Sequence, residues 1–336
     1  MAKNLIDGAQ GVLLGTFTGD ALGMPLEGLS REQIVSKYGF VRGFLEGRLP
    51  AGSYTDDTEM ALGLAESLVD RGGFDPADVA TKFAQNFTLW RGYGSRTCGV
   101  ISKIKAGNDW SSVGTDSWGN GGAMRIAPLG LFYCGSPLLK DAAEKSCRIS
   151  HHHPNAIAGA AVMAFAVAEA VRCGLLFIDI DIRSFQEMLI PVASEYGEAM
   201  VRPLERLSDL RLDGDSESKA AVLSAAYPCD VSAVGSVPAA LAAFLSAESF
   251  EDAVVTAVNA GGDADTLGAM AGALAGGYYG ATGIPEALLS GLDEGERGLS
   301  YVKELGAQLG EVAREGTAGG FELGEDEYDD DDDDDL

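Results

Sequence analysis

The chain has 336 residues, 46% of them hydrophobic and 22% charged, enough apolar material for one large buried core or two smaller ones. Lys and Arg number 24 against 51 Asp and Glu, a net charge of −27, which excludes nucleic-acid binding through a basic, phosphate-neutralising surface. Eleven of those acids crowd into "ELGEDEYDDDDDDDL" (322–336), yet the rest of the chain still carries −16. From the N-terminus, "MAKNLIDGAQGVLLGTFTGD" has one lysine and an apolar patch broken by glycines, so no secretory leader is expected. The stretch "GTFTGDALGMPLEG" (15–28) is glycine-rich and reads either as a turn or as a loop whose backbone can approach a ligand phosphate.

At 58–69, Met60, Ala61, Leu64, Ala65 and Leu68 mark one apolar face at the helical period. Helical spacing recurs at 76–90, 219–227, 237–246, 250–259 and 299–314, and residues 156–171 are apolar nearly all round, as in a core helix. Between them lie two further glycine-rich stretches, "RGYGSRTCG" (91–99) with Tyr93 and "SWGNGGAMR" (117–125) with Trp118, an aromatic able to stack on a base. "SHHHPNAIAGA" (150–160) holds every histidine of the chain. Three consecutive histidines cannot converge on one ion, so one is expected to hydrogen-bond a ligand or a helix end while the others are solvated. "LLFIDIDI" (175–182) alternates briefly but has no strand to pair with, and reads as a loop or short helix.

The stretch "NAGGDADTLGAMAGALAGGYYG" (259–280) opens on two aspartates, and from Leu267 to Pro285 the chain is uncharged and long enough to test as a membrane span; its glycines and its lack of basic anchors favour a buried helix. Gly268, Gly272 and Gly276 recur every four residues, so another helix can approach closely along that face. Five cysteines, an odd number without a C-x-x-C, point to reduced thiols and a cytoplasmic or nuclear setting. The expected fold is all-α, a single domain over 1–321 followed by a disordered acidic tail over 322–336.

The acids carry the chemistry. Asp56 and Asp57 in "YTDDTEMA", and Asp263 and Asp265 in "GGDADTLG", each precede a helical stretch, where a carboxylate can cap free N–H groups and meet the helix dipole. Capping accounts for one acid per helix; two like charges so close repel unless a cation or proton lies between them. Capping and ligation of hard divalent cations by aspartates with threonine hydroxyls both remain open on spacing alone. An EF-hand loop is absent, and zinc is disfavoured because no cysteine pair stands near the histidines.

Taken together, "GTFTGDALGMPLEG", "YTDDTEMA", "RGYGSRTC", "GNGGAMRIAPLGL", "SHHHP" and "AGGDADTLGAMAGALAGGYYG" resemble, in the same order, the motifs of the ADP-ribosylglycohydrolase family over residues 8–315. The resemblance implies a compact orthogonal helical bundle, two Mg²⁺ or Mn²⁺ ions, and hydrolysis of the bond between ADP-ribose and an acceptor in a protein or other conjugate. It implies metal ligands Thr55, Asp56, Asp57, Asp263, Asp265 and Thr266, with Glu27 touching the metal site and acting in catalysis beside Asp56 and Asp57. It further implies a substrate pocket of Tyr93, Gly94, Ser117, Trp118, Gly119, Asn120, Gly121, Gly122 and His151. Two positions depart from the pattern: His153 stands where many relatives have an acid or amide, and Ser112 or Val113 stands in place of a second stacking aromatic. The wording of "GNGGAMR", "RGYG" and "GSVPAALAAFL" leans toward the branch that cleaves serine-linked and poly(ADP-ribose) substrates. Two alternatives stay open: a hydrolase of another ADP-ribosylated small molecule or nucleic-acid end, and a non-catalytic, crystallin-like descendant. A monomer without membrane attachment is expected.

Overall fold

A computed structural model describes residues 4–317, and among them the regular structure is helical, with no strand and only three isolated bridges. In chain order the helices are α1 (Leu5–Gly23), α2 (Arg31–Tyr38), α3 (Asp56–Arg71), α4 (Pro76–Asn86), α5 (Ser95–Lys105), α6 (Trp110–Val113), α7 (Ala127–Phe132), α8 (Leu139–Arg148) and α9 (Pro154–Leu175). They continue with α10 (Ile182–Ser194), α11 (Glu198–Glu205), α12 (Ser216–Ala226), α13 (Ala233–Leu245), α14 (Phe250–Val258), α15 (Ala264–Tyr279), α16 (Glu286–Leu289) and α17 (Leu299–Thr317). The all-α expectation holds. The acidic tail at 322–336 lies outside the described residues.

The centre of the molecule is the α1/α15 pair, the most extensive helix contact in the fold. Its cause is a register of small residues. A Cβ added at Gly11, Gly15, Gly19 or Gly23 would lie 2.1, 2.1, 1.9 or 2.2 Å from the carbonyl oxygen of Gly276, Gly272, Gly268 or Ala264, respectively. Each turn of α1 thus sits directly on a turn of α15, and only hydrogen at Cα fits. The close partner foreseen for Gly268, Gly272 and Gly276 is therefore α1. The reading of 15–28 as a turn or phosphate loop is corrected over 15–23: those residues are helical, and their glycines repeat every four residues because they mirror the α15 stripe.

The segment 267–285, tested above as a membrane span, contains most of α15, whose residues to Gly277 are all buried. Another helix, α9, is long and apolar enough to cross a membrane by composition, but 83% of its most apolar window is buried among the other helices. Residues 176–181 form a connection between α9 and α10, as the isolated alternation at 175–182 implied. All five cysteines are free.

The pairing of α1 with α15 also sets the site. Asp20, near the end of α1 and fully buried, accepts hydrogen bonds at 3.0 Å from the backbone N–H groups of Thr55 and Thr58, and a third from the Thr58 hydroxyl. One carboxylate thereby occupies the positive end of α3 and ties it to α1. The start of α15 is reached through Gly261 and Gly262, at φ +81° and +78°, where a side chain would be strained. A Cβ at Gly262 would also lie 2.0 Å from the Cys229 carbonyl, so "GGD" is the sequence that lets the chain turn into this helix.

Candidate metal and substrate cleft

The helix starts of α3 and α15 meet at a cleft of about 330 Å³. It is lined by Glu27, Asp56, Asp57, Asp263, Asp265 and Thr266 on one side, and by Gly94, Ser117, Gly119, Asn120, Gly121 and His151 on the other. A larger cavity of about 640 Å³, bounded by residues 207–214 and the end of α13, holds no comparable group of acids. Among the described residues, the one trio of ligand-type side chains whose atoms all fall within 4.8 Å of one another is Glu27, Asp263 and Asp265.

Local structure places each acid. Thr55 caps α3 by accepting the Asp57 N–H at 3.3 Å, and its hydroxyl donates to Asp57 Oδ2 at 3.1 Å. Asp57 Oδ1 is buried with no hydrogen-bond partner. Asp263 makes no side-chain cap bond to α15; its Oδ2 instead accepts from Asn120 Nδ2 at 2.6 Å. Asp265 Oδ1 accepts the Thr266 N–H at 3.0 Å. The loop carrying Glu27 is pinned beside Asp263 by the Gly28 N–H to Gly262 carbonyl bond (2.7 Å) and the Gly262 N–H to Leu29 carbonyl bond (2.8 Å).

Crowding buried carboxylates has an electrostatic consequence. Burial, reinforced by the charge of Asp20, raises Asp56 to about 7. Burial also lifts Asp263 to about 6, with Glu27 adding to the rise and the Asn120 bond opposing it. Asp57 and Asp265 are pushed well above the usual carboxylate range, by burial first and by neighbouring aspartates second. Such a cluster is costly without a positive charge among its oxygens. The orphaned Asp57 oxygen, the close trio and the all-oxygen donor set fit hard divalent cations.

The opposite wall is held as firmly. Asn120 Nδ2 also donates to Ser236 Oγ (3.1 Å), and its own N–H donates to the Val231 carbonyl (3.0 Å), so this side chain links the glycine loop to Asp263. Bridges between Thr115 and His151 and between Gly119 and Ser232 bring the loops together. Behind them, fully buried Arg125 donates to the Gly121 carbonyl (2.7 Å), the Ser146 carbonyl (3.1 Å) and Ser150 Oγ (2.7 Å). Ser150 Oγ in turn meets His151 Nδ1 at 2.8 Å. Burial, with Arg125 and Arg96 nearby, depresses His151 to about 3, so the ring is neutral. Because Arg125 donates to Ser150, the hydroxyl proton is free for Nδ1, which leaves Nε2 as the N–H of this ring. The other two histidines follow the sequence expectation in part. His153 Nδ1 caps α9 by accepting the Asn155 N–H, and His152, half-buried rather than solvated, bonds the Arg148 carbonyl.

Four expected site residues fall elsewhere. Thr55 is fully buried behind Asp57 and acts as a cap. The Tyr93 hydroxyl donates to Glu59 (2.6 Å) and its ring packs on Phe87, so it supports the cleft from behind. Gly122 faces Cys147, whose Sγ would be 2.5 Å from a Cβ there. Trp118 is 46% exposed and does not line the cleft. The missed residues are Asp20, Arg125, Arg96 and Arg48. An acid inside the apolar run of α1 and an arginine closing "GNGGAMR" were visible signals for the first two. Arg96, at the start of α5, is the one Arg or Lys lining the cleft. Arg48 pairs with Glu27 (2.8 Å) and Asp265 (3.4 Å) from a loop without a motif.

Comparison with known proteins agrees with this architecture. The family model described as ADP-ribosylglycohydrolase matches residues 1–318. The chain is 31% identical to the ADP-ribosyl-[dinitrogen reductase] glycohydrolase of Rhodospirillum rubrum, covering 85% of this chain and 90% of that one. It is 30% identical to the ADP-ribosylhydrolase ARH3 of Gallus gallus, over 82% and 86% of the two chains. A solved structure titled "ADP-ribosylglycohydrolase-related protein complex" superposes with a TM-score of 0.74 at 33% identity, covering 93% of this chain and 99% of that chain.

Proposed function

The chain belongs to the ADP-ribosylglycohydrolase family, and from that premise we propose that its cleft hydrolyses the glycosidic bond between ADP-ribose and an acceptor, with two Mg²⁺ or Mn²⁺ ions. The observation that carries the reading is the acid-crowded floor, in which Glu27, Asp263 and Asp265 converge within 4.8 Å and Asp57 keeps a buried oxygen without a partner. The residues that would hold the cations are Glu27, Asp56, Asp57, Asp263, Asp265 and Thr266. Bound there, the cations would supply Lewis-acid polarisation of ribose oxygens and a more acidic water.

The chain's own groups do the rest. Cleavage at the anomeric carbon develops oxocarbenium character, which the carboxylates of the floor stabilise. Glu27 is the one acid of the trio that is exposed, so it is the carboxylate able to exchange protons with an attacking water or a leaving oxygen. Asn120 orients Asp263 and keeps the glycine loop against the floor. The neutral His151 ring, locked by Ser150 and Arg125, offers an N–H rather than a second charge to the bound nucleotide. Arg96 supplies the positive counterpart of a diphosphate in an otherwise acidic cleft.

For the acceptor we propose an oxygen, in seryl or poly(ADP-ribose) linkage, on the wording of "GNGGAMR", "RGYG" and "GSVPAALAAFL". The test is a panel of serine-, arginine- and poly-linked ADP-ribose and a small ADP-ribosyl ester, read by release of free ADP-ribose. Turnover of the serine or polymer substrate at least tenfold above the arginine one is expected. Preference for arginine would overturn the acceptor assignment, and no turnover of any member would overturn the activity.

A further inference from the structure

The acid cluster already has one positive neighbour. Arg48 Nη1 pairs with Glu27 Oε2 at 2.8 Å, and Nη2 lies 3.4 Å from both Asp265 Oδ2 and the Arg91 carbonyl. Among the described residues, the ion pairs that reach these acids are both Arg48's. The guanidinium occupies a slot made for it: Gly92 faces it with φ +106°, and a Cβ there would stand 2.4 Å from Nη2. Arg48 nevertheless leaves Asp57 Oδ1, on the far helix start, without a partner. The same two acids, Glu27 and Asp265, thus serve an internal cation here and belong to the trio suited to an external one.

We propose that Arg48 is the resident counter-cation of the acid cluster and competes with divalent cations for Glu27 and Asp265, so that loading the site requires giving up both ion pairs. The proposal rests on the metal reading above. Two cations a few ångströms apart repel, and the guanidinium is one-third exposed, with solvent into which it can withdraw from the carboxylates. Loading therefore passes Glu27, the carboxylate assigned to proton exchange, from the guanidinium to the cation.

The test is calorimetric titration of Mn²⁺ into the metal-free full chain, for the parent, Arg48→Gln and Arg48→Lys, with metal-free and metal-loaded melting temperatures alongside. Arg48→Met repeats the loss of charge with an apolar stem in case glutamine disturbs the loop. Arg48→Gln is expected to bind Mn²⁺ about tenfold more tightly, about 1.4 kcal/mol, and to gain more in melting temperature on loading than the parent. Arg48→Lys keeps the charge and is expected within about threefold of the parent, a distinction that a merely structural role for a partly exposed side chain does not make. A parent that binds Mn²⁺ with Arg48→Gln and Arg48→Met equal or weaker overturns the competition while leaving the metal site standing. Absence of Mn²⁺ binding in every variant overturns both.

Discussion

Gly19→Ala puts the packing argument at risk with one methyl group. By local propensity the change is favourable, since alanine in a helix interior is preferred over glycine by about 1 kcal/mol. By packing it is not, because the new Cβ would lie 1.9 Å from the Gly268 carbonyl oxygen and 2.3 Å from its carbonyl carbon. Ordinary contact needs about 3.4 Å or more, so α1 and α15 must separate by over 1 Å, and neither obstacle is a side chain that can change rotamer. Overpacking of this severity costs about 3 kcal/mol, which the propensity gain reduces to about 2. With about 2 cal/mol/K of unfolding entropy per residue, the melting temperature falls by about 3 °C. Gly8→Ala is the internal control, because on the same helix its Cβ meets only the Gly277 carbonyl oxygen, at 3.9 Å. It should leave stability unchanged or raise it. Differential scanning calorimetry of both variants decides the matter: Gly19→Ala at or above the parental melting temperature would refute the account of the α1/α15 seam.

Three further outcomes follow from the cleft. The raised aspartates mean that the folded, metal-free protein binds more protons than the unfolded chain from about pH 4 upward; its stability should therefore fall as pH rises through about 6 and 7, the values of Asp263 and Asp56. His151, held neutral, acts in the opposite direction below about 6.5, one group against the five aspartates that burial raises, Asp20, Asp56, Asp57, Asp263 and Asp265. Melting curves between pH 4.5 and 8 should show the decline, and excess Mg²⁺ should reverse it, since ligation favours the ionised carboxylates. Asn120→Ala removes the tether between Asp263 and the glycine loop and should raise KM and lower kcat together, by about tenfold each. An unchanged kcat would mean that Asp263 is positioned without it. Glu27→Gln keeps the shape of the site and removes a charge, so kcat should drop at least a hundredfold while binding of ADP-ribose, measured by calorimetry, changes by less than about tenfold.

The fold class and the acid pairs were legible because their signals are local: helical periodicity, acids at helix starts, and glycines every four residues. The same stripe in α1 was harder to read. Gly11, Gly15, Gly19 and Gly23 carry meaning only once α15 lies against them, and a glycine-rich stretch by itself also describes a loop. Tyr93 and Trp118 show the complementary difficulty, since an aromatic beside a glycine loop suits a ligand stack equally well whether it faces inward to Glu59, outward to solvent, or into the cleft. Arg48 carried no signal at all. Its role depends on a loop folding over Gly92, a contact across more than forty positions that no spacing rule encodes.

The central claim is that the carboxylates at the two helix starts hold the cations that make the cleft an ADP-ribosyl hydrolase. Its most direct test is the rate of free ADP-ribose release from an ADP-ribosylated substrate in excess Mg²⁺, measured side by side for the parent and Asp263→Asn. The account predicts turnover by the parent and a loss of at least a hundredfold in the variant; equal rates would contradict it.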